Sequence, residues 1–284
     1  MRPDEIRRQE LSDFLRTRRA RISPAEVGLP PGPRRRTPGL RREEVAQLAG
    51  VSATWYTWLE QRRPIRASAG VLDNLARVLR LDPIERTQLF QLAQRQPALD
   101  TSPPREKVTP LLQRLVDRTP AFPVIIQGVR WDILAWNRAA RAFFLDFEAI
   151  PAAERNMVWL YFTDRAFRSL FVDWPNRARD VLARFRADYG RHAGELRFVQ
   201  LVERLKAVSP EFAQWWPRHD VLPHSEGRKY YNHPAVGRLV GEHITLSVSD
   251  NPELKLVIIA PTAEPDSVAG FRTIVKSFRP PLSA

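Results

Sequence analysis

The stretch Arg41–Gln61, RREEVAQLAGVSATWYTWLEQ, decides the reading of this chain. Val45 and Ala46 share one helical face, and Gly50 follows Ala46 by four residues. A small residue lets two helices approach closely, and a glycine can take the left-handed backbone that ends a helix. Val51 then points inward, Ser52 is placed to cap a second helix, and Tyr56 and Leu59 recur at the spacing that packs this second helix onto the first. This is the spacing of a helix-turn-helix. In such motifs the second helix enters the major groove and its N-terminal residues meet base edges. The outward positions Ser52, Ala53, Thr54, Thr57 and Trp58 are therefore the candidates for reading DNA. Arg41 and Arg42 at the start of the first helix, and Arg62 and Arg63 past the end of the second, are the candidates for phosphate contact. An ordinary helical hairpin with a glycine turn is the plainer alternative, and it leaves the surrounding charge without a purpose.

That charge is +13, from 45 basic and 32 acidic residues, with only five lysines. Residues 1–100 hold 19 arginines against 12 acids, and the remainder 26 basic residues against 20 acids, so the excess is denser towards the N-terminus. Positive charge attracts phosphates without regard to sequence. Arg34-Arg35-Arg36, inside a proline- and glycine-rich loop over Ser23–Gly39, adds a cationic cluster suited to a phosphate or the minor groove, or else a solvated run. The absence of cysteine excludes disulfides and thiolate chemistry and fits a reducing cytosol. No apolar run approaches a membrane span and the first residues do not open a signal peptide, so a cytoplasmic protein without a membrane partner is expected.

Around the motif, Leu11, Phe14 and Leu15 predict an amphipathic first helix whose other face carries Arg16, Arg18, Arg19 and Arg21. A further helix begins near Ser68, and Pro83 opens a fifth. Residues 1–96 form an all-α domain, and the proline-rich residues 97–110 a linker. In residues 111–284, a short helix holds Leu111, Leu112, Leu115 and Val116. Phe122–Gln127 and Trp131–Trp136 predict a hairpin, after which Asn137 caps a helix with Phe143 and Phe144. Several helices lie between Pro151 and Arg218. Strands follow at Arg228–Asn232, Ile244–Val248 and Leu254–Ala260, and a closing helix starts near Asp266. This order predicts an α+β domain with helices against an antiparallel sheet.

Both halves resemble one family of bacterial regulators. Residues 11–95 look like the lambda-repressor-like DNA-binding domain of the xenobiotic-response-element (XRE) family. The wording Arg36-Thr37-Pro38-Gly39-Leu40-Arg41-Arg42-Glu43-Glu44-Val45-Ala46, Gly50-Val51-Ser52 and Trp55-Tyr56-Thr57-Trp58-Leu59-Glu60-Gln61 is similar to its MmyB-like branch. Arg62 stands where that family usually has a glycine to cap the recognition helix. In residues 110–277, Trp131–Asn137 (WDILAWN), Pro151–Asn156 (PAAERN), Ser209–Phe212 (SPEF), Trp216–Val221 (WPRHDV) and His233-Pro234 resemble the same family's PAS-like ligand-binding domain. The resemblance implies a transcription regulator of double-stranded DNA with a small-molecule pocket. It does not identify the ligand.

The aromatic content of the C-terminal half is compatible with a cavity for an apolar or amphipathic molecule, fatty-acid-like in character. Its candidate lining is Arg130, Trp136, Asn137, Phe143, Phe144, Trp215, Trp216, His219 and His233, with Asn137 or His219 holding a polar head group. The alternative is a domain that only dimerises or binds another protein. No metal, cofactor or catalytic residue is called for: His219, His224 and His233 with Glu226 match no compact ligand spacing, and no G-x-S-x-G or dinucleotide glycine loop occurs. A homodimer is expected, because one recognition helix covers too few base pairs for operator specificity.

Overall fold

The computed structural model describes residues 2–30, 39–93, 106–222 and 227–278. The Arg34-Arg35-Arg36 cluster, residues 97–105 of the expected linker, and His224 and Glu226 lie outside the described residues. The chain divides into two compact units: Met1–Thr101 with Arg186–Pro223, and Ser102–Phe185 with His224–Ala284. The boundaries expected from the sequence lie at 96/97 and 110/111, with residues 186–223 in the C-terminal half.

The first unit opens with α1 (Pro3–Arg21), α2 (Arg42–Ala49), α3 (Ala53–Glu60), α4 (Ala69–Val78) and α5 (Pro83–Ala93). Local chemistry fixes their ends. Gly50 closes α2 at φ 71°, and the Val51 N–H reaches the Ala46 carbonyl at 3.0 Å. Ser52 and Ser68 cap α3 and α4 by accepting from the Trp55 and Val71 N–H groups. Leu11, Phe14, Leu15, Val45, Ala46, Tyr56, Leu59, Leu72, Leu75 and Leu89 make one buried core. Gly39 lies where a Cβ would fall 2.5 Å from the Ala20 backbone, so only glycine lets this strand of chain cross α1. One expectation for α1 is corrected. Arg18 and Arg19 do not lie on a solvated face: their side chains are 3% and 14% exposed and are paired with carboxylates.

Along the rest of the chain come α6 (Pro110–Asp117), β1 (Val124–Gln127), β2 (Ile133–Trp136), α7 (Arg138–Phe143), α8 (Met157–Thr163), α9 (Arg165–Ser169), α10 (Trp174–Arg191), α11 (Leu196–Val208), α12 (Pro210–Trp215), β3 (Gly227–His233), β4 (Gly237–Val248), β5 (Asn251–Pro261) and α13 (Pro265–Ser277). The strands form one antiparallel sheet in the order β2-β1-β5-β4-β3. The α+β expectation for this half holds, although β4 starts seven residues earlier than Ile244. Register puts Val124 and Ile126 beside Ile258 and Leu256 on one face, where Val116 and Leu112 of α6 pack. On the other face Tyr231 and Ile259 crowd Gly241, whose Cβ would come within 3.1 Å of both side chains. Phe143 of α7 and Phe271 of α13 close over this face, with ring centroids 5.0 Å apart and Phe143 4.8 Å from Tyr231.

Candidate functional site: a DNA-reading helix and an aromatic ligand domain

α3 buries Tyr56 and Leu59 and turns Ala53, Thr54 and Trp58 to solvent, with Thr57 half-buried beside them. Trp58 keeps 41% of its surface in water, a large ring left on an otherwise small-residue face. Ser52 is exposed, but its hydroxyl already serves the Trp55 N–H at 3.1 Å. The far end shows how the helix stops without the usual glycine. Arg62 takes the left-handed backbone at φ 67°. Its N–H reaches the Leu59 carbonyl at 3.2 Å, and the Arg63 N–H reaches that of Trp58 at 3.0 Å. These are the two bonds of a Schellman cap, built on a residue that pays a steric penalty for it.

Beneath this surface lies a buried ion cluster that the sequence reading missed. The Glu60 carboxylate is fully enclosed. Arg19 Nε and Nη2 hold its two oxygens at 2.7 and 3.1 Å, Arg42 Nε holds Oε2 at 2.7 Å, and Ser12 Oγ donates to the Glu60 carbonyl. Burial alone would raise this carboxyl; the hydrogen bonds from Arg19 and Arg42 outweigh it and hold it below its ordinary 4.5. Arg42 is therefore engaged from within, with 40% of its side chain exposed. Arg41, Arg62 and Arg63 are exposed. A glutamate four residues after the buried Tyr56 was the available signal.

The nine expected ligand-contacting residues divide between the two units. Trp215, Trp216 and His219 belong to the first; Arg130, Trp136, Asn137, Phe143, Phe144 and His233 to the second. Trp216 stacks on Phe212 at 5.2 Å, and the Arg186 guanidinium lies 3.6 Å over its ring. The His219 ring lies edge-on to Phe14 at 6.5 Å, and its Nδ1 lies 3.0 Å from Arg186 Nη1. Burial first, then the charges of Arg186 and Arg18, push the His219 pKa down to about 2, so the ring is neutral and Nδ1 accepts.

In the second unit, Asn137 has no spare atom. Its Oδ1 accepts from the Val124 and Ala140 N–H groups at 3.1 and 2.8 Å, and its Nδ2 donates to the Thr119 and Phe122 carbonyls. It ties β1, β2 and α7 together, so the expected head-group contact is corrected to a structural one. Arg130 grips Asp132 through two bonds, and Asn156 bonds both the Asp132 carboxylate and the Arg130 carbonyl. His233 spans the Ala142 carbonyl and the Ala235 N–H, and burial lowers its pKa from the ordinary histidine value. Phe143 and Phe144 sit in an aromatic cluster with Phe147, Phe167, Tyr231 and Phe271. Inside it the Tyr231 hydroxyl is buried without a hydrogen-bond partner. Trp136 leans on Phe147 at 5.5 Å and lines a cleft of about 380 Å³ with Arg138, Arg141, Glu148 and Phe278.

Among the described residues no group of three or more His, Cys, Asp or Glu side chains is placed to hold a metal, and no helix is long and apolar enough to cross a membrane. The comparison with curated proteins finds no match. Two family models do match: a helix-turn-helix domain over residues 10–89, and the MmyB-like transcription regulator ligand binding domain over residues 108–272. The helix-turn-helix supplied by α2 and α3, followed by that ligand-binding domain, makes this chain a member of the MmyB-like family of transcription regulators.

Proposed function

We propose that the chain is a dimeric, cytoplasmic, sequence-specific regulator that performs no catalysis and answers to an apolar or amphipathic small molecule. The observation that carries DNA reading is the outward face of α3, with two threonine hydroxyls between an alanine and a tryptophan and bare arginines at its end. Short hydroxyl side chains bond several base edges or touch a thymine methyl, while arginines meet phosphates. In this reading Ala53, Thr54, Thr57 and Trp58 face bases, Ser52 supports them as the cap, and Arg41, Arg42, Arg62 and Arg63 face the backbone. Thr57→Ala should relax preference between operator and random duplex while non-specific binding persists. Arg63→Ala should weaken both and flatten the salt dependence by roughly one log–log unit. Equal loss on both duplexes for Thr57→Ala would sink the base-reading assignment.

Pairing of two copies is supported by the sheet face bearing Ile244, Leu246, Leu256 and Ile258. Leu246 there is 43% exposed, and Leu115 of α6 is 53% exposed. Ligand capture is supported by the aromatic cluster around Phe143 and Phe144. A buried hydroxyl without a partner is costly, and a ligand with an apolar body and one acceptor would satisfy Tyr231. The ring-on-ring packing at 4.8–5.7 Å favours the second reading, a filled core serving only pairing or protein contact. Mass spectrometry of small molecules released from the purified chain decides between them: a bound apolar compound supports the sensor, and none leaves the pairing domain.

A further inference from the structure

Helix α1 works with two faces. Ser12 and Arg19 hold the end of the recognition helix, through the Glu60 carbonyl and carboxylate. Glu10, Phe14, Arg18 and Arg21 recur at steps of four, four and three, which aligns them on another stripe. All four meet residues 186–220 of the same compact unit. Glu10 Oε2 accepts from Arg186 Nη1 at 3.0 Å, and Phe14 packs against the His219 ring. Arg18 donates to the His219 carbonyl. Arg21 Nη2 donates to the Arg218 carbonyl at 2.6 Å and to Asp220 Oδ1 at 2.7 Å. Arg186 is itself fully buried and donates further to the Trp216 carbonyl.

Beside the Phe14–His219 ring contact and Ala193 against the helical core, this fastening is ionic, and it is incomplete. Arg18 is 3% exposed, yet only its Nη2 is engaged, with His219 and, at 3.1 Å, Glu85; its Nε and Nη1 are buried without partners. Buried ions regain hydration when a joint opens, so such a contact is weaker than apolar packing of the same extent. Residues 186–220 fall within the ligand-binding family match, over 108–272, while they pack with the DNA-reading helices.

We propose that residues 186–220 form a releasable clasp on α1, and that α1 relays the state of the clasp to the recognition helix through Glu60. Docked, Arg186 and Asp220 steady α1, and α1 in turn fixes the C-terminal end of α3. Released, α1 loses the supports on one stripe, and the Arg19–Glu60 anchor loosens with it. The purpose of the clasp, though not its existence, rests on the regulator reading.

Hydrogen exchange read by mass spectrometry on the full chain tests this, using Glu10→Gln, Arg186→Met and Arg21→Ala. Arg21→Ala covers the case in which the buried substitutions fail to fold, since the Arg21–Asp220 pair is half-exposed. Amides in residues 196–215 and in 57–61 should accelerate together, by about tenfold or more, while β4 and β5 stay as in wild type. Acceleration in 196–215 alone would overturn the relay. No change in either segment, or acceleration spread through the sheet, would overturn the clasp. The measurement needs neither DNA nor ligand, so failure here leaves the DNA reading standing, and failure of DNA reading leaves this signature intact.

Discussion

Replacing Glu60 with glutamine removes one charge and little volume from the most enclosed carboxylate beside the recognition helix. Its two partners differ. Arg19, 14% exposed, holds it through two bonds, whereas Arg42 is 40% exposed. Stripping one member from a buried pair costs about 3 kcal/mol or more, because the other charge is left in low dielectric. The Arg42 contact, at the rim, adds about 0.5 kcal/mol at most. Glutamine still offers one oxygen to Arg19, so about 3 kcal/mol is expected in all. For a chain of this size that lowers the melting midpoint by about 6–12 °C. The pH dependence has a definite sign. The folded carboxyl lies below its ordinary 4.5, so its stabilisation is present above that value and is lost as pH falls through the lower folded value. Thermal unfolding by circular dichroism at pH 7 and at pH 3.5 measures both. The gap between wild type and Glu60→Gln should be wide at pH 7 and narrower at pH 3.5. A shift under 2 °C at pH 7, or a gap unchanged by acid, would refute the buried-anchor argument.

Other outcomes follow from the same geometry. Arg62→Gly should raise stability by about 1 kcal/mol, since glycine takes φ 67° freely, yet weaken DNA binding at low salt if this arginine meets phosphate; calorimetry and a salt titration separate the two effects. His219, neutral in the fold with its pKa near 2, supplies stability above about 6.5 that is lost as pH falls below it, by about 1.4 kcal/mol per pH unit for one proton. His219→Asn suits the left-handed backbone at φ 53° and should make the acid slope shallower by one proton in urea unfolding. Phe143→Trp should overfill the cluster with Phe271 and Tyr231, lowering stability by about 1–3 kcal/mol and abolishing any thermal shift by an apolar ligand; an undiminished ligand shift would place the site elsewhere.

What the sequence disclosed was periodic or local. The glycine at 50, the caps at 52 and 137, and the helix starts near 68 and at 83 follow from short-range chemistry, and the helices appear where that chemistry put them; Pro110, expected in the linker, instead opens α6. The hairpin of β1 and β2 announced itself through β-branched residues around a glycine turn. Long-range pairing stayed hidden. Nothing near Arg186 signals that its partner is Glu10, 176 residues away, or that Trp216 and His219 lie against Arg186. Arg18 and Arg19 follow Phe14 and Leu15 by four residues, so helical periodicity itself puts them beside the apolar face rather than on the opposite face with Arg16. Asn137 was read correctly as a cap, but its other three hydrogen bonds come from segments far enough along the chain to be invisible locally.

The most direct test of the account is selection of duplex DNA from a random-sequence pool by the full chain at physiological salt. The account predicts enrichment of two related half-sites spaced by about one or more whole helical turns, lost with Thr54→Ala/Thr57→Ala. Recovery of DNA with no enriched sequence, or of a motif indifferent to those threonines, would contradict it.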